Sequence, residues 1–126
     1  MQISVAHVGF RLPNGAVRAP DIAGVPTRTM NEIGAGARQG FPYLCPDFAL
    51  EVTSPSDSLQ ETKAKMEEYV ENGLRVGVLI HPPTRQVWTY RPGVDPVQHD
   101  NPATVSCESE MPGFTLDIQK ILNADD

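Results

Sequence analysis

Loosely alternating hydrophobic and polar positions open the chain and predict two strands joined by a tight turn. Residues 3–12 alternate in this way and are typical of a strand. Pro13-Asn14-Gly15 follows, and Asn-Gly readily adopts the positive φ that a tight hairpin turn requires. We expect a second strand over residues 17–25. Because Pro20 has no N–H to donate, this strand either lies at a sheet edge or starts after the proline.

The next regular element is a short apolar strand in the middle of the chain. The stretch before it, residues 26–46, favours a loop, because three glycines weaken the alternative of a short helix near 29–35. Residues 48–52 are apolar except for one acid, Glu51. They predict a strand with a carboxylate near its end.

An amphipathic helix is predicted directly after this strand. Starting at Leu59, mainly apolar residues recur at helical spacing, which predicts a helix over about residues 58–72. Asp57 or Ser58 can cap its first turn, since either side chain can accept a hydrogen bond from a free backbone N–H. Asn72-Gly73 is typical of a helix end.

The second half of the chain is rich in strands. Residues 75–80 are almost entirely apolar and predict a buried central strand. Residues 84–91 alternate, so we expect a half-exposed strand that pairs with it. Further expected elements are short strands near Val97 and over 104–107, a turn at 111–113 and a short C-terminal helix at about 117–122. The order predicts an α/β fold with a mixed central sheet, one main helix and a short C-terminal helix.

Composition adds limits on size and surface. The chain has 126 residues, of which 40% are hydrophobic, enough for a single domain with one core. Its net charge of −6 excludes an overall basic nucleic-acid coat and a polybasic membrane anchor. The sequence has no signal-peptide pattern and no long apolar run, so we expect a cytoplasmic protein without membrane contact. Cys45 and Cys107 are expected to be reduced and partly buried, with a disulfide between them as the alternative.

Three charged residues are candidates for chemistry. Asp21 follows Pro20, Glu51 lies near a strand end, and Lys65 lies two turns into the predicted helix. Two carboxylates on neighbouring strands repel each other unless a cation lies between them. Mg²⁺ prefers such oxygen ligands, and a nearby lysine could orient a water molecule or stabilise charge on a phosphate.

Each of these residues also has a purely structural interpretation. Asp21 could be an acid in a turn at the start of a strand, and Glu51 could pair with an arginine such as Arg18. Lys65 lies four residues after Glu61 and three before Glu68, which is also the spacing of a solvated salt-bridge ladder on one helix face. Periodicity alone leaves these alternatives open.

The order of these motifs resembles the PD-(D/E)XK nuclease superfamily. Within it, the chain resembles a large bacterial family of restriction-endonuclease-like proteins. The matching stretches are GFRLPNGAVRAPD (9–21), FPYLCPDFALEVTSPSD (41–57), KMEEYVENG (65–73), RVGVLIHPPTRQVWTYRPG (75–93) and NPATVSCESEMPGFTLDI (101–118). The resemblance covers nearly the whole chain and implies one nuclease-like domain over 1–126, with a mixed central sheet flanked by helices.

The resemblance also assigns roles to single residues. The family's two metal-binding acids fall on Asp21 and Glu51, and the carbonyl of Val52 is a possible further ligand. The superfamily's usual lysine would fall on Thr53, where it is absent. The family's lysine comes instead from the following helix, on Lys65. Lys63 is the weaker candidate.

Two departures from the family pattern bear on activity. Family members usually carry a further segment ahead of the region matched here, so the chain is expected to be N-terminally short. In addition, His81 stands where the family pattern has an acid after the buried strand.

Two hypotheses of different classes follow from the resemblance. The first is a DNA endonuclease dependent on Mg²⁺ (or Mn²⁺), with Asp21, Glu51 and Lys65 as catalytic residues. The second is a catalytically inactive nuclease-like module that acts as a homodimeric structural or regulatory protein. The acidic net charge weakens the case for tight non-specific DNA binding, which depends on Lys and Arg.

Overall fold

A six-stranded mixed sheet forms the centre of the structure, a computed structural model that describes residues 3–6, 9–26, 44–108 and 110–123. In chain order the elements are β1 (Ile3–Ala6), β2 (Phe10–Arg11), β3 (Val17–Arg18), β4 (Ile22–Pro26), β5 (Phe48–Val52), α1 (Leu59–Glu71), β6 (Val76–His81), a 3₁₀ turn (Pro82–Thr84), β7 (Gln86–Tyr90), β8 (Val97–Asp100), β9 (Thr104–Ser106), β10 (Thr115–Asp117) and α2 (Ile118–Leu122). The sheet order is β1-β4-β5-β6-β7-β8. Only the β5–β6 pair is parallel, and α1 provides its crossover. The expected α/β fold with a mixed sheet is confirmed.

The N-terminal part contains four short strands instead of the two expected ones. The segment 3–12 contributes β1 to the main sheet and β2 to a separate hairpin, and the segment 17–25 divides in the same way into β3 and β4. β2 and β3 pair across the predicted turn, where Gly15 has a φ of 90°. β4 starts at Ile22, after Pro20, so of the two alternatives, an edge strand or a start after the proline, the second is correct. Alternation shows which residues share a face, but it does not show which sheet each strand joins.

Hydrophobic side chains fill two cores, one on each face of the main sheet. α1 and the β2–β3 hairpin cover one face and form the helix-side core, while β9, β10 and α2 cover the other and form the C-terminal core. Along β5, Ala49 belongs to the helix-side core, whereas Phe48 and Leu50 belong to the C-terminal core. A strand covered on both faces must be apolar at nearly every position, and this explains the continuous apolar run of β6.

Two features of the C-terminal half differ from the sequence-based expectation. Strand β7 does pair with β6, but it is not half-exposed, because residues 87–90 are all buried between the two cores. Strand β10, which the pattern did not predict, pairs with β9. The C-terminal helix is confirmed and is capped by Asp117. Most of the expected loop over residues 26–46, with its alternative helix near 29–35, lies outside the described residues; of its ends, Pro26 belongs to β4, and residues 44–46 form neither helix nor strand.

Helix α1 has the ends that the sequence predicts. Ser58 is its N-cap, and the hydroxyl accepts a hydrogen bond from the backbone N–H of Glu61 at 3.3 Å. The helix ends at Asn72-Gly73, and Gly73 has a φ of 116° that favours glycine. Gly77 of β6 lets the helix approach the sheet closely, because a Cβ there would lie 2.7 Å from Cε of Met66.

Cys45 and Cys107 are both free thiols, as expected. Cys45 packs on the helix-side core and Cys107 in the C-terminal core, so the sheet lies between them and the disulfide alternative is wrong. Burial raises the pKa of Cys45 to about 12 and that of Cys107 to about 11, which leaves both thiols protonated and unreactive at neutral pH. Within the described segments, no helix has both the length and the apolar character needed to cross a membrane.

Candidate functional site

Glu51 is a buried carboxylate near the C-terminal end of β5. It is 6% exposed, and it lies on the face of the sheet that α1 covers. The Nζ atom of Lys65 lies 3.3 Å from Oε2, and the hydroxyl of Tyr69 donates to Oε1 at 3.5 Å. Burial raises the pKa of Glu51 and the nearby charge of Asp21 raises it further, while Lys65 opposes both effects. The site therefore holds an ionisable group that is costly to charge and is stabilised by specific partners.

The helix geometry separates the two candidate lysines. Lys65 turns towards the sheet and pairs with Glu51. Lys63 instead places its Nζ 4.3 Å from the centroid of the Trp88 ring, in a cation–π contact. Of the two, Lys65 is therefore the one that reaches the acidic site, in agreement with the order of preference from the sequence.

Asp21 lies in a bend directly before β4, next to the same end of β5. Its Oδ2 atom accepts a hydrogen bond from the backbone N–H of Val52 at 2.7 Å. The backbone N–H of Asp21 in turn donates to the Glu51 carboxylate. In the antiparallel register, Ile22 pairs with Leu50, so Asp21 directly follows the paired stretch at the end where Glu51 lies. The structure thus brings the two acids and Lys65 together.

The contacts decide most of the structural alternatives. Arg18 does not pair with Glu51, because its Nε donates to Oε1 of Glu68 at 2.6 Å. The ladder interpretation of Lys65 is also wrong, since the lysine pairs with Glu51 across the helix–sheet contact. The interpretation of Asp21 as an acid in a turn describes its backbone correctly, but its carboxylate is used to bind β5.

Thr53 and His81 form a polar pair beside these residues. Thr53 Oγ1 and His81 Nδ1 lie 2.7 Å apart at the ends of the parallel strands β5 and β6, and Thr53 is 5% exposed. Thr53 is the position where the superfamily's lysine would stand. His81 therefore forms a structural contact at this position, a role that its place in the sequence did not reveal.

Tyr69 is the contact that sequence analysis missed. Its ring packs in the helix-side core, as the apolar spacing of the predicted helix would suggest. Its hydroxyl, however, reaches Glu51. A usable signal was present, because residues four apart lie on one face of a helix and Tyr69 follows Lys65 by that spacing.

The donor set fits a small divalent cation such as Mg²⁺ or Mn²⁺. Among the described residues, no group of three or more His, Cys, Asp and Glu side chains could hold a metal ion. The site itself has two carboxylates, those of Asp21 and Glu51. Mg²⁺ is commonly held by one or two carboxylates together with water and substrate oxygens. The backbone N–H of Val52 points towards Asp21, and its carbonyl points to the same side, because the N–H and C=O of one residue in a strand share a side. The candidate metal ligands, two carboxylates and this carbonyl, are therefore all oxygen atoms.

A surface cleft of about 390 Å³ runs along the outer side of α1 and reaches Lys65. Its charged lining residues are Arg18, Asp57, Glu61, Lys65 and Glu68. Acids outnumber bases in this lining, so the cleft does not attract a phosphate backbone on its own.

Comparisons with known proteins agree with this architecture. A crystal structure of a "putative nuclease belonging to DUF820" from Anabaena variabilis matches with a TM-score of 0.77 and 20% identity, over 95% of this chain and 68% of that chain. At this identity the likeness shows the fold. Among curated proteins, none matches the chain. A family model, Uma2, described as "putative restriction endonuclease", matches residues 2–119. The expected restriction-endonuclease-like membership is therefore confirmed, and the chain belongs to the Uma2 family.

Proposed function

We propose that the chain is a metal-dependent DNA endonuclease that hydrolyses phosphodiester bonds with Mg²⁺ or Mn²⁺. The carboxylates of Asp21 and Glu51 and the carbonyl of Val52 hold the metal ion, and Lys65 contacts the scissile phosphate or the attacking water. The observation that carries this proposal is the convergence of Asp21 and Glu51 at adjacent strand ends, with Lys65 3.3 Å from Glu51. Membership of a family described as restriction endonucleases supports the same reaction class. A cytoplasmic location, where DNA would be accessible, is part of this proposal.

The charge balance of the site supports a divalent cation. Two carboxylates and one ammonium group carry a net negative charge, which repels a phosphodiester. A bound divalent ion reverses that sign, lowers the pKa of a water molecule and offsets charge on the phosphate. Glu51, held at both oxygens by α1, presents a fixed carboxylate. Asp21 contributes the second carboxylate and also fixes the end of β5 through the Val52 N–H.

Lys65 has two roles in this proposal. Without substrate, its ammonium group offsets the charge of Glu51. Because the side chain is 32% exposed and reaches the surface cleft, it can rotate towards a phosphate that enters the site. Its long flexible stem allows this change without movement of α1.

The test compares metal binding and DNA cleavage in matched variants of the full chain. Asp21→Asn and Glu51→Gln keep hydrogen-bonding oxygens but remove the charges that a metal ion needs. Asp47→Asn is the control, because Asp47 precedes the other end of β5 and pairs with Arg75 at 3.6 Å. We expect calorimetry to show Mn²⁺ binding by the wild type and by the control, with binding strongly weakened and Mg²⁺-dependent plasmid cleavage lost in D21N and E51Q.

One observation favours the second candidate, an inactive module that acts as a homodimer. Arg18, Arg75 and Arg91 each form an ion pair with an acid of the same chain, so they offer little free positive charge to DNA. A wild-type chain that neither binds Mn²⁺ nor cleaves DNA, and that is a dimer by light scattering, would establish this candidate in place of the nuclease.

A further inference from the structure

We propose that Tyr69 is a positioning residue for Glu51, and that its hydroxyl orients the carboxylate towards a divalent cation. The inference rests on the proposed metal-dependent function and adds a residue to it. Tyr69 is 0% exposed, and its hydroxyl lies 3.5 Å from Oε1 of Glu51. Lys65, one helical turn earlier, contacts the other oxygen, Oε2. Two side chains of α1 thus hold the two oxygens of one carboxylate.

This arrangement fixes the orientation of Glu51 without using up its capacity to bind. A carboxylate offers about four lone-pair directions, two on each oxygen, so donors from Lys65, Tyr69 and the Asp21 backbone still leave one for a metal ion. Groups that hydrogen-bond a metal ligand hold it in one orientation, and their loss typically weakens metal binding. Tyr69 can provide such an orienting contact to Glu51.

Tyr69 and Lys65 differ in how firmly they are held. Lys65 is about one-third exposed and can leave Glu51 for a substrate phosphate. Tyr69 is packed in the helix-side core and cannot turn away. A phenol carries an O–H group at neutral pH, so Tyr69 can donate to the carboxylate. When Lys65 moves to a phosphate, Tyr69 therefore still holds Glu51 in place.

A second buried tyrosine provides a matched control. Tyr90 lies in the same helix-side core and is 3% exposed. Burial raises its pKa to about 12, with a smaller contribution from the charge of Glu67. Removing either hydroxyl takes one oxygen atom from a buried ring, but only Tyr69→Phe removes a contact with Glu51.

The experiment measures Mn²⁺ affinity by calorimetry for the wild type, Tyr69→Phe and Tyr90→Phe, with circular dichroism to show that each is folded. We expect Y69F to weaken Mn²⁺ binding by about 10-fold, the lower end of the usual effect of losing a group that orients a metal ligand. Y90F should bind within about twofold of the wild type, since it leaves Glu51 unchanged.

Glu51→Gln provides a readout that a purely structural role would not move. Any residual Mn²⁺ affinity in E51Q should be the same with and without Y69F, because the hydroxyl acts only through the carboxylate. Equal affinities of Y69F and Y90F would overturn the inference while leaving the proposed function intact. A wild type that does not bind Mn²⁺ would overturn the proposed function and, with it, the inference.

Discussion

Replacing Lys65 with methionine removes the charge that faces Glu51 and nearly keeps the length of the side chain. The two charged groups are 3.3 Å apart, and Glu51 is buried. At an effective dielectric constant of about 20, unit charges about 4 Å apart attract by about 4 kcal/mol. Lys65 is 32% exposed, so water screens part of this attraction. We therefore expect K65M to lower the free energy of unfolding by about 2 kcal/mol near neutral pH, between the values for exposed and buried pairs.

The cost of K65M should depend on pH, because Glu51 needs its counter-ion only when it is ionised. Burial raises the pKa of Glu51 from its ordinary value of 4.5, and Lys65 limits that rise. Without Lys65 the pKa of Glu51 rises further. A group with a folded pKa above its unfolded one favours the folded state below the unfolded pKa, and this stability is lost as the pH rises through the folded pKa. The loss is larger in K65M, so its cost grows from near pH 4.5 towards neutral pH.

Urea unfolding at about pH 5 and about pH 8 measures this difference. We expect the cost of K65M to be at least about 1 kcal/mol larger at the higher pH, and to shrink to below about 0.5 kcal/mol in an E51Q background. The control is Lys63→Met, the same substitution on α1, which loses only the contact with Trp88. Its cost should be about 0.5–1 kcal/mol at both pH values. An equal cost of K65M at both pH values, or in both backgrounds, would refute the reasoning.

Substitutions at three further positions test the surroundings of the site, each by urea unfolding. Gly77→Ala should cost about 1 kcal/mol, because its methyl group would lie 2.7 Å from Cε of Met66 and 2.8 Å from Cδ2 of Leu74, and both side-chain ends must shift; a neutral result would mean that they move aside freely. Ser58→Ala removes the N-cap of α1 and should cost about 1 kcal/mol, whereas Ser58→Gly should cost less. Thr53→Val keeps the shape of the side chain but removes the hydrogen bond with His81, and should cost about 1 kcal/mol; unchanged stability would show that this bond contributes nothing.

Local patterns were sufficient to predict the elements that carry the site. Helix α1 was predicted because its caps and its apolar spacing are encoded in neighbouring residues. β5 and β6 were predicted because a strand buried on both faces is recognisable as an apolar run. β10 was missed because its three residues have too little alternation to form a pattern.

Side-chain partners were harder to predict than elements. The sequence offered Arg18 as a partner of Glu51 and offered two lysines as candidates, and every one of these pairings was compatible with local spacing. Arg18 lies on the β2–β3 hairpin, and its partner Glu68 is 50 residues away in the chain. The packing of that hairpin against α1 determines the contact between Arg18 and Glu68. Glu51 pairs with Lys65 instead.

The sequence by itself determined the strand–helix–strand unit with Glu51 and Lys65 on it, the acid Asp21 ahead of it, and the family resemblance. Those features depend on residues that are close in the chain, where spacing fixes direction. The tertiary structure decided that both faces of the sheet are covered, that Lys65 and Tyr69 hold Glu51, and that Asp21 binds the end of β5. These contacts join segments that are distant in the chain. Which contacts form depends on how the helices pack on the sheet, because a buried charge needs a partner among the groups that packing brings close to it.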